Sequence, residues 1–217
     1  MVHILDEQNT LLNKFLSQLR DVDVQRDSMR FRRNLERIGE IMAYEISKSL
    51  NYAPAEVTTP LGVAPMQLLS DTVVLATVFR AGLPLHQGFL NYFDDAENAF
   101  VSAYRKYSGE NEFSIEVEYI ACGSLEGKTL ILVDPMLATG SSLIAAYEAF
   151  VAHGGKPAHT HLVSVLACTE GVDYVLENTS AEDVTLWCAT VDRELNTHKY
   201  IVPGLGDAGD LAFGAKL

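Results

Sequence analysis

Positive charge is scarce in this sequence. Its 217 residues carry 16 Lys and Arg against 29 Asp and Glu, a formal net charge of −13. A general nucleic-acid binder needs a basic face that releases counterions, and an anionic membrane surface attracts basic segments. Neither partner is expected. A phosphorylated substrate stays open, provided that positive charge is concentrated locally or arrives with a metal ion. Cysteine is also scarce. Cys122, Cys168 and Cys188 are odd in number and widely spaced, which gives neither a disulfide framework nor a zinc spacing. Long apolar runs are missing: the longest, about residues 72–79, is far too short to span a bilayer. Residues 1–7 lack the basic-then-apolar order of a secretory signal. There is no internal repeat, low-complexity tract or linker. These absences describe a reduced, cytoplasmic, globular protein. With 48% hydrophobic residues, one domain over residues 1–217 can bury a full core.

What is present alternates. Residues 27–50 read as an amphipathic helix, with Leu35, Ile38, Met42 and Ile46 at helical spacing. Arg26, Arg30, Arg32, Arg33 and Arg37 crowd its first half and read as a solvated face. After a break at 51–60 come short β-branched runs at 72–79, 99–104, 129–133, 161–167 and 184–190, suited to strands buried on both faces. Helix-length segments at 84–93, 141–153 and 170–177 lie between them. The order predicts an α/β fold: a twisted, mainly parallel sheet flanked by helices, with ligands at the carboxyl ends of its strands. Residues 113–119 alternate strictly between apolar and polar, which predicts a half-exposed strand in a hairpin or flap outside the main sheet. His159 and His161 flank Thr160 at a strand start and read as structural rather than as a metal pair.

Four segments carry chemistry. In the first, a buried strand ends at Asp134, and Thr139-Gly140-Ser141-Ser142 opens a helix. Gly140 permits a tight turn, and the helix start offers free amides and a positive dipole end to a phosphate. No Lys follows the glycine, so this is not a Walker loop. Asp134 can accept hydrogen bonds from sugar hydroxyls. In the second, Pro203 with Gly204, Gly206 and Gly209 makes a loop suited to presenting backbone groups to a small flat ligand. The third and fourth are Arg80 and Arg105, each expected at the carboxyl end of a strand, where a guanidinium fork matches phosphate oxygens.

These motifs resemble the uracil phosphoribosyltransferases, a family of the type I phosphoribosyltransferases. Residues 133–142 are similar to its phosphoribosyl diphosphate (PRPP) loop, and residues 200–210 to its uracil loop. Arg80-Ala81-Gly82-Leu83 and Tyr104-Arg105 are similar to its two arginine sites, and the helix from Phe31-Arg32 through Tyr44-Glu45 also matches. The resemblance covers nearly the whole chain. It implies the type I fold with a small hood at about 192–217, which holds the uracil loop, and a β flap at about 107–128. It implies that Arg80, Arg105, Asp134, Pro135, Met136, Leu137, Ala138, Thr139, Gly140, Ser141 and Ser142 hold PRPP, with Asp207 alongside. Ile201, Gly206, Asp207 and Ala208 then hold uracil, and Asp207 and Arg105 lie nearest the chemistry. Pro135 stands where most sister enzymes have a second acid, as is usual in this family. The flap departs from the family pattern. It is slightly shorter, and the first basic residue after Lys106 is Lys128.

The expected activity is transfer of phosphoribose from PRPP to uracil, giving UMP and pyrophosphate. Mg²⁺ is the expected cofactor, carried by PRPP rather than by a protein metal site. A homodimer or higher homo-oligomer is implied by the resemblance alone. The alternative is a catalytically weak or inactive PRPP or nucleotide sensor of the same fold.

Overall fold

The computed structural model describes residues 1–107 and 113–216, with the backbone alone at 103–107 and 113–117. In chain order it forms β1 (Val2–Ile4), a 3-10 turn, α1 (Leu11–Arg20), α2 (Ser28–Ser47), β2 (Tyr52–Thr59), β3 (Gly62–Leu69), β4 (Val73–Val78) and α3 (Gly82–Leu90). Then follow β5 (Glu97–Tyr107), β6 (Phe113–Ala121), β7 (Thr129–Val133), β8 (Met136–Leu137), α4 (Ser141–Gly154), β9 (His159–Cys168) and α5 (Thr169–Glu177). The chain ends with β10 (Val184–Asp192), β11 (Glu194–Leu195), β12 (Ile201–Val202) and α6 (Ala208–Phe213).

The eight-stranded main sheet runs β1-β10-β9-β7-β4-β5-β6, with β8 added beside β9. Every pairing in it is parallel except β5 with β6. All residues of β4 and β7 are buried, as their unbroken apolar character requires. Successive side chains of a strand point to opposite faces, so each strand feeds two cores. Leu75, Ile131 and Val133 join Phe31, Leu35, Ile38, Met42 and Phe89 under α1, α2 and α3. Val74, Ala76, Leu130 and Leu132 join Leu143, Phe150 and Val175 under α4 and α5. Phe31, Phe89 and Phe150 are fully buried, each contributing about 1.5–3 kcal/mol by leaving water. Asp27 caps α2 by accepting from the Arg30 N–H at 3.0 Å.

Two elements correct the sequence reading. The alternating segment forms β6, which is the antiparallel edge of the main sheet rather than a strand outside it. An edge strand is one-sided, so alternation marks it as well as it marks a flap. Residues 51–60 are expected only as a break and 61–69 carry no expected element, yet 52–69 form the β2–β3 hairpin with its own two-stranded sheet. Its side chains are almost all exposed, including Leu61 at 99%, Val63 and Met66.

Candidate active site

The carboxyl ends of β4 and β7, the start of α4 and the loop before α6 surround one cleft of about 920 Å³. The chain after β7 does not leave the sheet at once. Met136 and Leu137 pair with Leu166 and Ala167, and the Pro135 carbonyl accepts from the Leu166 N–H at 2.9 Å. Pro135 is therefore buried and part of the frame. Asp134, Met136, Leu137, Ala138, Thr139, Gly140 and Ser142 line the cleft. Ser141 does not line it, but its Oγ lies 2.9 Å from Thr139 Oγ1, which does.

Gly140 is the N-cap of α4 in the left-handed region, φ 84°, and no side chain caps the helix there. The first amides of α4 thus keep their hydrogen-bonding capacity for an anion. A Cβ at Gly140 would lie 2.9 Å from the Tyr174 ring and 3.0 Å from the Gly171 carbonyl, so α5 backs the turn closely. Asp134 sits at the strand tip, its Oδ1 accepting from the Met136 N–H at 3.3 Å. Burial pushes its carboxyl up to about 6, with that one hydrogen bond opposing the shift.

Across the cleft lie residues 198–201 and 206–209. Ile201 is in β12, its side chain in the core; Ala208 opens α6 and is buried; Gly206 has φ 96° with open space where a Cβ would project. Asp207 faces the cleft and is also the N-cap of α6, its Oδ1 accepting from the Asp210 N–H at 2.9 Å. Arg80 reaches over to the same helix. Its Nη2 lies 3.1 Å from Asp210 Oδ1 and its Nη1 donates to the Gly214 carbonyl at 3.2 Å.

So the structure brings Arg80, the 134–142 loop and Ile201, Gly206, Asp207 and Ala208 to one cleft. Arg105 lies within β5, its backbone opposite Ile115, so it is not at a strand end; its side chain lies outside the described residues. The strand runs on to Tyr107 because β6 supplies hydrogen-bond partners beyond the end that apolar content alone suggests. Sequence reasoning missed His198, Lys199 and Lys216, which also line the cleft; Lys216 and Lys199, the latter paired with Glu170 at 3.1 Å, bring positive charge to its rim. The run His198-Lys199 just before the glycine loop was the available signal. Lys128, the first basic residue after Lys106, pairs instead with Glu97. The histidine pair is committed elsewhere: His159 to Thr185, and His161 to the Trp187 indole N–H at 3.1 Å.

The family model for uracil phosphoribosyltransferase matches residues 6–215. This chain belongs to the uracil phosphoribosyltransferase family. A relative in Porphyromonas gingivalis is 54% identical over 98% of both chains. One from Methanothermobacter thermautotrophicus is 38% identical, over 99% of this chain and 95% of its own. Both are named uracil phosphoribosyltransferase. A solved structure from Aquifex aeolicus superposes over all of both chains with TM-score 0.87 and 28% identity. A hypoxanthine phosphoribosyltransferase from Staphylococcus aureus shares the fold alone, with TM-score 0.51 and 10% identity over 74% of each chain. Family and fold thus agree on a type I phosphoribosyltransferase, and the cleft is where such a sheet places its ligands.

Proposed function

We propose that this family member transfers the phosphoribosyl group of PRPP to uracil, giving UMP and pyrophosphate. The observation that carries the site assignment is the shared cleft, with an uncapped helix start on one wall and a glycine-rich loop on the other. The first suits the 5′-phosphate, and Asp134 beside it suits the ribose hydroxyls. Arg80, which lines the cleft, is proposed to bind the diphosphate as a charge-assisted fork, with Arg105 as its counterpart. Residues 201–208 present backbone groups to the base. A set of paired hydrogen bonds rejects a wrong base strongly, because a mismatch leaves buried groups unpaired.

Transfer at the anomeric carbon develops positive charge on the ribose and negative charge on the leaving diphosphate. The chain's part is to hold the reactants in line and to stabilise that charge from fixed positions. Asp207 lines the cleft from the second wall, and its carboxylate is proposed to act on the ribose side of the reaction or on the base. Asp134 and Asp207 are hard oxygen donors of the kind Mg²⁺ takes, and the ion is proposed to arrive on the diphosphate, whose charge it neutralises. Nothing in the cleft favours a non-catalytic sensor.

A cytoplasmic location and a homodimer or higher assembly belong to the same proposal. No helix among the described residues is long and apolar enough to cross a membrane. The assembly is supported by the β2–β3 hairpin, one face of which leaves Val57, Met66 and Leu68 in water. An exposed apolar patch of this kind marks an interaction surface. Leu68→Glu with Met66→Glu is expected to halve the mass seen by light scattering; an unchanged mass places the contact elsewhere. The activity itself is tested with purified protein, uracil, PRPP and Mg²⁺, following UMP. Turnover of hypoxanthine or adenine comparable to that of uracil would overturn the base assignment.

A further inference from the structure

Behind the base-facing loop, three residues distant in sequence meet. Arg20 is the last residue of α1, and Asp192 is the last of β10. Their side chains form a two-pronged pair, Nη1 to Oδ2 at 2.7 Å and Nη2 to Oδ1 at 2.9 Å. Asp192 is 9% exposed and Arg20 25%, so the carboxylate end of the pair is largely withdrawn from water. The same two groups grip Gly204. Its N–H donates to Asp192 Oδ2 at 3.0 Å, and its carbonyl accepts from Arg20 Nη1 at 3.2 Å. Both peptide planes that flank Gly204 are thus fixed from outside the loop. Gly204 has φ 58°, and a Cβ there would lie 2.0 Å from the Ile201 carbonyl. Each end of the clamp is held in turn: the Arg20 carbonyl accepts from Gln25 Nε2, and the Asp192 carbonyl accepts from Thr169 Oγ1.

We infer that Arg20 and Asp192 are positioning residues for uracil. A loop with Gly204, Gly206 and Gly209 has few side chains to pack and much conformational freedom to lose. Backbone groups that read a flat base must be placed to a fraction of an ångström, and misplacement costs rate and affinity steeply. The clamp supplies that placement two residues ahead of Gly206. The PRPP cradle does not depend on it, because β7, β8 and α4 hold that wall. The inference rests on the proposal that residues 201–208 take uracil.

The test varies uracil and Mg²⁺-PRPP separately with full-length Arg20→Met, Arg20→Lys, Asp192→Asn and Gly206→Val. Arg20→Met is expected to raise KM for uracil about 10–100-fold while KM for PRPP stays within about threefold. Arg20→Lys, a point charge without the fork, falls between. Asp192→Asn keeps an acceptor for the Gly204 N–H and also falls between. An unchanged uracil KM in Arg20→Met, or equal rises for both substrates, overturns the clamp. Should Arg20→Met fail to fold, Arg20→Lys decides by the same split. Gly206→Val, which adds bulk at the cleft and strains the loop at φ 96°, disturbs the loop directly and separates the two claims. If it raises uracil KM and the Arg20 variants do not, the clamp alone is wrong. If it leaves uracil KM unchanged, the loop does not hold uracil, and the inference falls with that reading.

Discussion

The loop at 134–142 grows out of the sheet, whereas the loop at 200–210 is tied down by side chains from elsewhere in the chain. The first follows β7, adds two residues as β8 beside β9, and runs straight into α4. Its position comes from the backbone ladder of β8 with β9 and from the close packing of Gly140 on α5. The second is fixed by Arg20 and Asp192 at Gly204, by Arg80 at Asp210, and by Arg32, whose Nη1 donates to the Ala212 carbonyl at 2.6 Å. Anion binding needs amides and a dipole, which a helix start provides. Base reading needs backbone groups at one exact spacing, which a glycine loop holds only with outside support.

Breaking the second wall chemically has the largest expected effect. Asp207→Asn removes the charge but keeps an oxygen for the α6 cap, since Asn caps as well as Asp. Its kcat is expected to fall about 10²–10⁴-fold with Tm nearly unchanged. A kcat within a few-fold of wild type would reduce Asp207 to a cap.

Arg80 sharpens the comparison because it follows β4, lines the cleft and is tied to α6. Arg80→Ala is expected to lower kcat/KM for PRPP by about 2–4 kcal/mol, with circular dichroism showing a folded protein. It also unties α6, so uracil KM rises with it. Asp210→Asn weakens only the tie and should move uracil KM alone. Wild-type kinetics in Arg80→Ala would make this arginine structural.

The smallest effect concerns the first wall alone. In the proposed site, ribose hydroxyls would donate to the ionised form of Asp134, whose pKa burial pushes up to about 6. Below pH 6 the carboxyl is neutral, so kcat/KM for PRPP should fall about tenfold per pH unit, and uracil KM should not follow it. The stability sign is opposite to that of a salt-bridged Asp. The unfolded carboxyl ionises near its ordinary 3.8, so the burial penalty is present above about pH 6 and is relieved as pH falls toward 4. Asp134→Asn should therefore raise Tm at pH 7 by an amount that shrinks at pH 5. A pH-independent difference would show that Asp134 is not the group titrating.

The cradle was legible in sequence because its parts are contiguous: a strand tip, then a threonine, a glycine and two serines at a helix start. The parallel sheet was legible for the same local reason, since runs such as 129–133 are apolar without alternation. The glycine loop was visible as a site, but its supports were not. Arg20 to Asp192 spans 172 positions, and nothing in the pattern around either residue pairs them. The β2–β3 hairpin escaped because its apolar side chains have no core to face, so burial patterning has nothing to read. Sequence by itself determined the buried parallel strands, the helices between them and the glycine turn that opens α4, because those depend on near neighbours. Tertiary structure alone decided that β6 closes the sheet edge, that Lys199 and Lys216 reach the cleft, and that Arg20 and Asp192 grip Gly204. Such contacts join groups whose approach is set by the packing of whole elements.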